Sequence, residues 1–242
     1  MIRSISTINR SMNVLQEKQE NASANIANIS TPGYKFQNII ASTLESHNLI
    51  NHQGGPHVNR RVGVGGFIFG NQIDEVYSDF SQGNLYETEK ATDFALDGRG
   101  FFTIRMDNGT LAYTRNGNFR LNHENELVTL EGYHVLGRDG NGNIGIIYGD
   151  ENHIHAGEVL ITDFNEYRNL RNLGETLYEA EEAGFIMESP FLRQGYLEMS
   201  NVHIGDELVR LIEISREFES HQKLIHAADE TLSKAVNEVG RV

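Results

Sequence analysis

Twenty-three of the 24 glycines fall between Gly33 and Gly205. Residues 1–32 hold none, and neither does the run from Asp206 to Val239. Glycine costs about 1 kcal/mol in a helix interior and suits turns. The distribution therefore predicts two helical ends around a middle of strands and turns. Charge divides the same way, since residues 33–199 hold −12 of the net −14. Three regions follow: helices over 1–32 and 200–242, a linker or long loop over 33–62 around Gly54-Gly55-Pro56, and a β-rich unit over 63–199.

At the amino end Ile5, Ile8, Met12, Leu15, Gln19, Ala22, Ile26 and Ile29 follow an alternating 3,4 spacing, and seven of the eight are apolar. That is the seam of a heptad repeat. Thr31-Pro32-Gly33 ends it, because proline disfavours helix at the residue before it. At the carboxyl end the same spacing runs through Ile204, Leu208, Leu211, Ser215, Phe218, Gln222, Ile225, Asp229, Leu232, Val236 and Val239. Ser215, Gln222 and Asp229 stand seven apart and form one polar line in that seam. Asn201 reads as the helix cap, with Asp206 and Glu207 at the positive end of the helix. An amphipathic helix packed on the chain's own body would satisfy either pattern. Strict alternation and the polar line point further, to a coiled coil between the two ends and with neighbouring copies. The apolar members of both seams are the expected assembly interface.

The middle is punctuated by turns. Phe101-Phe102-Thr103-Ile104-Arg105 reads as a strand, followed by a turn at Asp107-Asn108-Gly109. Leu111–Thr114 then leads to Asn116-Gly117, a strong hairpin signal, and on to Phe119–Leu121. Leu127–Leu130, Tyr133–Leu136, Ile144–Tyr148, Glu158–Asp163 and Gly195–Met199 continue the pattern. The fold class is α+β: an antiparallel β-rich middle with helical ends.

Most routes to chemistry are closed. With no cysteine there is no disulfide, thiolate metal site or thiol nucleophile. Twenty basic against 34 acidic residues argue against nucleic-acid binding. No run approaches the roughly 20 apolar residues that cross a bilayer, so no direct membrane insertion is expected. The amino terminus carries no continuous apolar stretch of the secretory kind. Asp139-Gly140-Asn141-Gly142-Asn143 begins like a calcium loop, but Ile144 stands where such loops need glycine. His153-x-His155 lacks a third ligand nearby, and His47, His52 and His57 sit in the expected linker. Gly63-Val64-Gly65-Gly66 fits neither a P-loop nor a dinucleotide fingerprint, and no Gly-x-Ser-x-Gly elbow exists. No catalytic residue, metal or cofactor is expected. The competing class is a secreted β-rich hydrolase or glycan-binding module with helical extensions, with Tyr133, Tyr148, Tyr167 and Tyr178 as its aromatics.

Ala24-Asn25-Ile26-Ala27-Asn28-Ile29-Ser30-Thr31-Pro32-Gly33-Tyr34-Lys35 resembles the amino-terminal signature of bacterial flagellar rod and hook proteins. Gly195-Tyr196-Leu197-Glu198-Met199-Ser200-Asn201-Val202 and the helix after it are similar to that family's carboxyl-terminal motif. Gly98-Arg99-Gly100-Phe101-Phe102 and Tyr113-Thr114-Arg115-Asn116-Gly117 match its centre. Asn125 stands where the family commonly has a turn glycine. The resemblance implies motif residues Asn25, Asn28, Thr31, Gly33, Tyr34, Ser200, Asn201 and Val202. It implies a structural subunit of the flagellar basal-body rod, proximal or distal, with terminal helices in a coiled-coil tube and the β domain outside. It also implies a homo-oligomeric helical assembly, rod and hook neighbours, and passage through the flagellar type III export apparatus to the outside of the cytoplasmic membrane.

Overall fold

The computed structural model describes residues 2–53, 60–138, 142–149, 154, 159–174 and 176–239. Mostly antiparallel sheet lies between an amino-terminal and a carboxyl-terminal helix, an α+β arrangement. Two compact units share the chain. One contains Met1–Ala24, Gln37–Tyr77 and Gly205–Val242; the other contains Asn25–Phe36 and Ser78–Ile204. The chain thus passes from unit to unit four times.

The first unit holds both long helices. α1 spans Ile2–Ala27 and α2 spans Ile204–Val239, the latter 36 residues long. Asp206 and Glu207 occupy the first turn of α2, where carboxylates favour the helix dipole. Between the helices in sequence lie β1 (Gln37–Thr43), β2 (Ser46–Gln53), β3 (Arg60–Ile68) and β4 (Asn71–Ser78). β1 pairs with β4 and β2 with β3, in two two-stranded sheets. Much of the expected linker over 33–62 is therefore strand. The pairing passes from Leu49–Gly65 to Ile50–Gly63, so the extra residue of this bulge lies in β3. It breaks the period of two along β3, and β2 is mostly polar. Gly54–Asn59, including His57, lie outside the described residues.

The β-rich unit is built on an antiparallel sheet of ten short strands among the described residues. Phe101–Arg105 is central, paired with Leu111–Thr114, His134–Arg138 and Ile161–Asp163. Successive side chains of a strand point to opposite faces. Phe102 and Ile104 enter a core with Phe94, Phe119, Leu127, Val135 and Ile161. Phe101 enters a second, aromatic cluster with Tyr113, Phe164 and Tyr178. Covering both faces explains why this strand reads as nearly continuously apolar.

One expected hairpin does not form. Leu111–Thr114 pairs with Phe101–Arg105 and Leu177–Ala180, while Arg120–Leu121 pairs with Leu127–Val128. Asn116 is drawn into a local bend: its amide donates to the Thr114 hydroxyl, and its own side-chain oxygen accepts from the Asn118 amide. Gly117 packs flat against Phe94, whose amide donates to the Gly117 carbonyl at 3.0 Å. A Cβ at Gly117 would strike the Phe94 carbonyl. Glycine here serves a close backbone approach and not a hairpin turn. Asn125 takes φ +60°, a left-handed conformation that asparagine tolerates.

Candidate functional site: the roots of the terminal helices

The α1 helix stops at Ala27, ahead of Pro32. The segment 25–36 that follows is pinned to the β-rich unit by the motif residues themselves. Asn25 is fully buried, and its side-chain oxygen accepts from the Tyr34 hydroxyl at 3.0 Å. The Thr31 hydroxyl donates to the Asn28 side chain at 3.1 Å and closes the turn. Gly33 adopts φ +70°, and a Cβ there would collide with the backbone of Arg115 and Asn116. Only glycine meets both conditions. Its amide donates to the Glu198 carbonyl at 2.7 Å.

Glu198 is the centre of a buried charge cluster. Its Oε1 accepts from Lys35 Nζ at 2.6 Å and from the Gly83 amide at 3.0 Å. Its Oε2 accepts from Arg115 Nη1 at 3.2 Å. Lys35 Nζ also donates to the Ser81 carbonyl at 2.7 Å. Lys35 and Glu198 side chains are 0 % exposed and Arg115 2 %, so these charges survive only because they are paired. Burial lowers the Lys35 pKa from its ordinary value, against the opposing pull of Glu198.

Asn201 extends the cluster. Its side-chain oxygen accepts from the Phe36 amide at 2.7 Å, and its amino group donates to the carbonyls of Asp79 and Ser81 and to the Ser81 hydroxyl. It does not cap α2 as its position suggested, because its side chain is engaged by these other segments. The Ser200 hydroxyl accepts from the Val202 amide at 3.2 Å, and Val202 is buried.

The expected interface residues divide by exposure. On α1, Leu15 and Ala22 are buried and Ile5, Ile8 and Met12 partly so; Ile26 and Ile29, in the other unit, are also partly buried. On α2 the least exposed line runs Glu207, Leu211, Ile214, Phe218, His221, Ile225, Ala228, Leu232 and Ala235, itself a 4,3 repeat. It shares Leu211, Phe218, Ile225 and Leu232 with the line read from sequence. Ile204, Leu208 and Val236 are exposed, as are Ser215, Gln222 and Asp229. The Val239 side chain lies outside the described residues. Within the first unit, Ser11, Val14, Leu15 and Lys18 of α1, Asn71 of β4 and Glu217, Ser220 and His221 of α2 line one groove.

Three family models match the chain: flagella basal body rod protein over residues 9–35, the flagellar hook protein FlgE/F/G D1 domain over 95–162, and flagellar basal body rod FlgEFG protein C-terminal over 193–238. The flagellar basal-body rod protein FlgG of Buchnera aphidicola subsp. Schizaphis graminum is 32% identical over 237 residues, covering 88% of this chain and 90% of the relative. That of Borreliella burgdorferi is 31% identical and that of Bacillus subtilis 30%, each covering 98% of this chain and 98% and 99% of the relative respectively. The chain belongs to the flagellar basal-body rod protein family. It is a structural subunit of the flagellar basal body and not an enzyme, which removes the reading as a hydrolase or glycan-binding module.

Lys35 closes the first matched segment of this rod-family chain, Arg115 lies in the second, and Glu198 and Asn201 lie in the third. The buried cluster is where the three matched segments meet. Lys35, Arg115 and Glu198 stand within the motifs, and no pattern in the sequence assigns them a role. Their opposite charges in otherwise uncharged signatures were the available signal.

Among the described residues no three His, Asp or Glu side chains converge as metal ligands. His153, His155 and Asp139–Asn141 lie outside them. Tyr178 is buried in the aromatic cluster, where Tyr167 also packs. Tyr148 is exposed. Glu126 Oε2 accepts from Asn122 at 2.7 Å and contacts His134 Nε2 at 3.1 Å. The Asn122 hydrogen bond leads in holding the Glu126 pKa below its ordinary value, with Tyr148 and His134 helping. A carboxylate with a depressed folded-state pKa stabilises the fold above its unfolded pKa and loses that contribution as pH falls through the folded one. Melting temperatures of wild type and Glu126→Gln between pH 6 and pH 3 are expected to converge on acidification (roughly the carboxylate range). A constant gap across that range would remove Glu126 from the account.

Proposed function

We propose that this rod subunit polymerises helically through its terminal helices, with further copies and with other rod and hook proteins, into the hollow shaft that transmits torque. The observation that carries this reading is the apolar surface α2 leaves open. Ile204, Leu208, Val209, Ile212, Leu224 and Val236 are 48–70 % exposed on a single chain. A helix with apolar residues on more than the face it buries within its own chain has surface for another helix. α1 and α2 would then form a coiled-coil tube, with the interface drawn from Ile5, Ile8, Met12, Leu15, Ala22, Ile26, Ile29, Ile204, Leu208, Leu211, Phe218, Ile225, Leu232, Val236 and Val239.

The two two-stranded sheets of this unit support the same reading. Ile40, Ile50, Ile68, Ile73, Val76 and Tyr77 are exposed on them. Delivery unfolded through the flagellar type III export apparatus fits a chain with no disulfide to reform. In this mechanism the helices gain order as their open faces find neighbours, since long helices draw most of their stability from packing. Far-UV circular dichroism of the full-length protein over a concentration series tests it, with sedimentation run in parallel. Helical signal is expected to grow as oligomers form. Full helicity in dilute monomer would overturn the coupling of order to assembly.

A further inference from the structure

The chain passes between its two units beside Asn25, Phe36, Ser78 and Ile204. The four passages are fastened to one another by bonds inside the β-rich unit. Tyr34 holds Asn25. The Asp79 amide donates to the Phe36 carbonyl at 2.8 Å. Asn201 accepts from the Phe36 amide at 2.7 Å and donates to the Asp79 carbonyl at 2.9 Å. Beneath this layer Glu198 joins the strands again, through Gly33, Lys35, Gly83 and Arg115.

We infer that Glu198 and Asn201 are positioning residues for assembly, which fix the end of α1 and the start of α2 in one register on the β-rich unit. This rests on the reading that the terminal helices assemble. A free chain segment keeps two soft dihedrals per residue. The end of α1 and the start of α2, tied to one buried cluster, lose that freedom on the β-rich unit. Both helix roots are then set before a neighbouring copy is met, and assembly is spared the ordering cost. The choice of charges supports a role in register. A buried ion cluster adds little stability over apolar residues of the same volume, whereas its directional bonds accept few alternative arrangements.

Hydrogen exchange on the full-length protein and quantification of the chain in purified basal bodies test this together. Asn201→Asp removes the amino group that holds Asp79 and Ser81. Lys35→Met removes the cation that joins the 33–36 strand to Glu198. In both variants the amides of Gly33, Phe36 and Gly83 are expected to exchange about tenfold faster or more. Phe101–Arg105 and His134–Arg138 lose less protection than the root amides, because their exchange follows only the overall loss of stability. Incorporation into the rod falls, and Lys35→Arg restores it. An equal loss of protection at the central strands and the root amides, or unchanged exchange at the root amides, would overturn the assignment by making the cluster part of the core or of no consequence. So would normal incorporation with freed roots. Leu208→Asp on the open α2 face separates the two levels. If it blocks incorporation while Asn201→Asp does not, the positioning role fails alone. If neither blocks it, the reading of the helices fails as well.

Discussion

Glu198→Ala is expected to destabilise the β-rich unit by about 3–5 kcal/mol, the range seen when one member of a buried ion pair is removed. The substitution leaves Lys35 and Arg115 buried with no counter-charge and the Gly83 amide without its acceptor. Whole domains are stable by only about 5–15 kcal/mol, so the loss takes much of the margin. Glu198→Gln keeps an oxygen for Lys35 and Gly83 while deleting the charge, and its cost is expected to be smaller. Urea unfolding of the two variants beside wild type, followed by tyrosine fluorescence, checks the order. Equal and small losses would mean that water reaches the cluster and relieves the stranded cations.

Leu208→Asp is expected to abolish motility while leaving the monomer folded. Leu208 is 48 % exposed on the single chain, so the substitution costs the isolated protein little. In a helix seam the same carboxylate would be buried against apolar neighbours without a partner, which costs several kcal/mol per contact if it stays charged. Each subunit added to a helical assembly would carry that penalty again. Leu211→Asp is a poorer probe, because Leu211 is already partly buried within its own chain. Swimming in soft agar by a deletion strain carrying Leu208→Asp, with circular dichroism of the purified variant, provides both readouts.

The broad fold was legible because glycine placement reflects backbone physics directly. The helical ends, the hairpin from Phe101 to Thr114 and the strand before Met199 all follow from propensity and period. What escaped did so for identifiable reasons. The β2 strand was hidden by its many polar residues, since a two-stranded ribbon has little core to impose alternation. Asn116-Gly117 has the composition of a hairpin turn, but long-range packing against Phe94 claimed it. Local turn chemistry cannot register a neighbour 23 residues upstream.

The site was legible in its residue types and not in its connections. Asn25, Thr31, Gly33 and Tyr34 read as a turn signature, and the structure supplies each with a partner or a steric reason. That Lys35 and Glu198, 163 residues apart, share one buried bond is a property of topology. On α2 the 3,4 pattern admitted more than one line. Leu211, Phe218, Ile225 and Leu232 are common to two of them, and which flank is covered depends on what packs alongside.

The central claim is that the terminal helices build the shaft, and the chain content of purified basal bodies tests it most directly. Basal bodies would be isolated from a strain lacking the native gene that expresses either wild-type protein or Leu208→Asp at equal level, and the chain quantified against a motor-ring protein. The account predicts the wild-type chain at full rod stoichiometry and the variant absent, with rods truncated. Leu208→Asp present at wild-type amount in rods of normal length would contradict it.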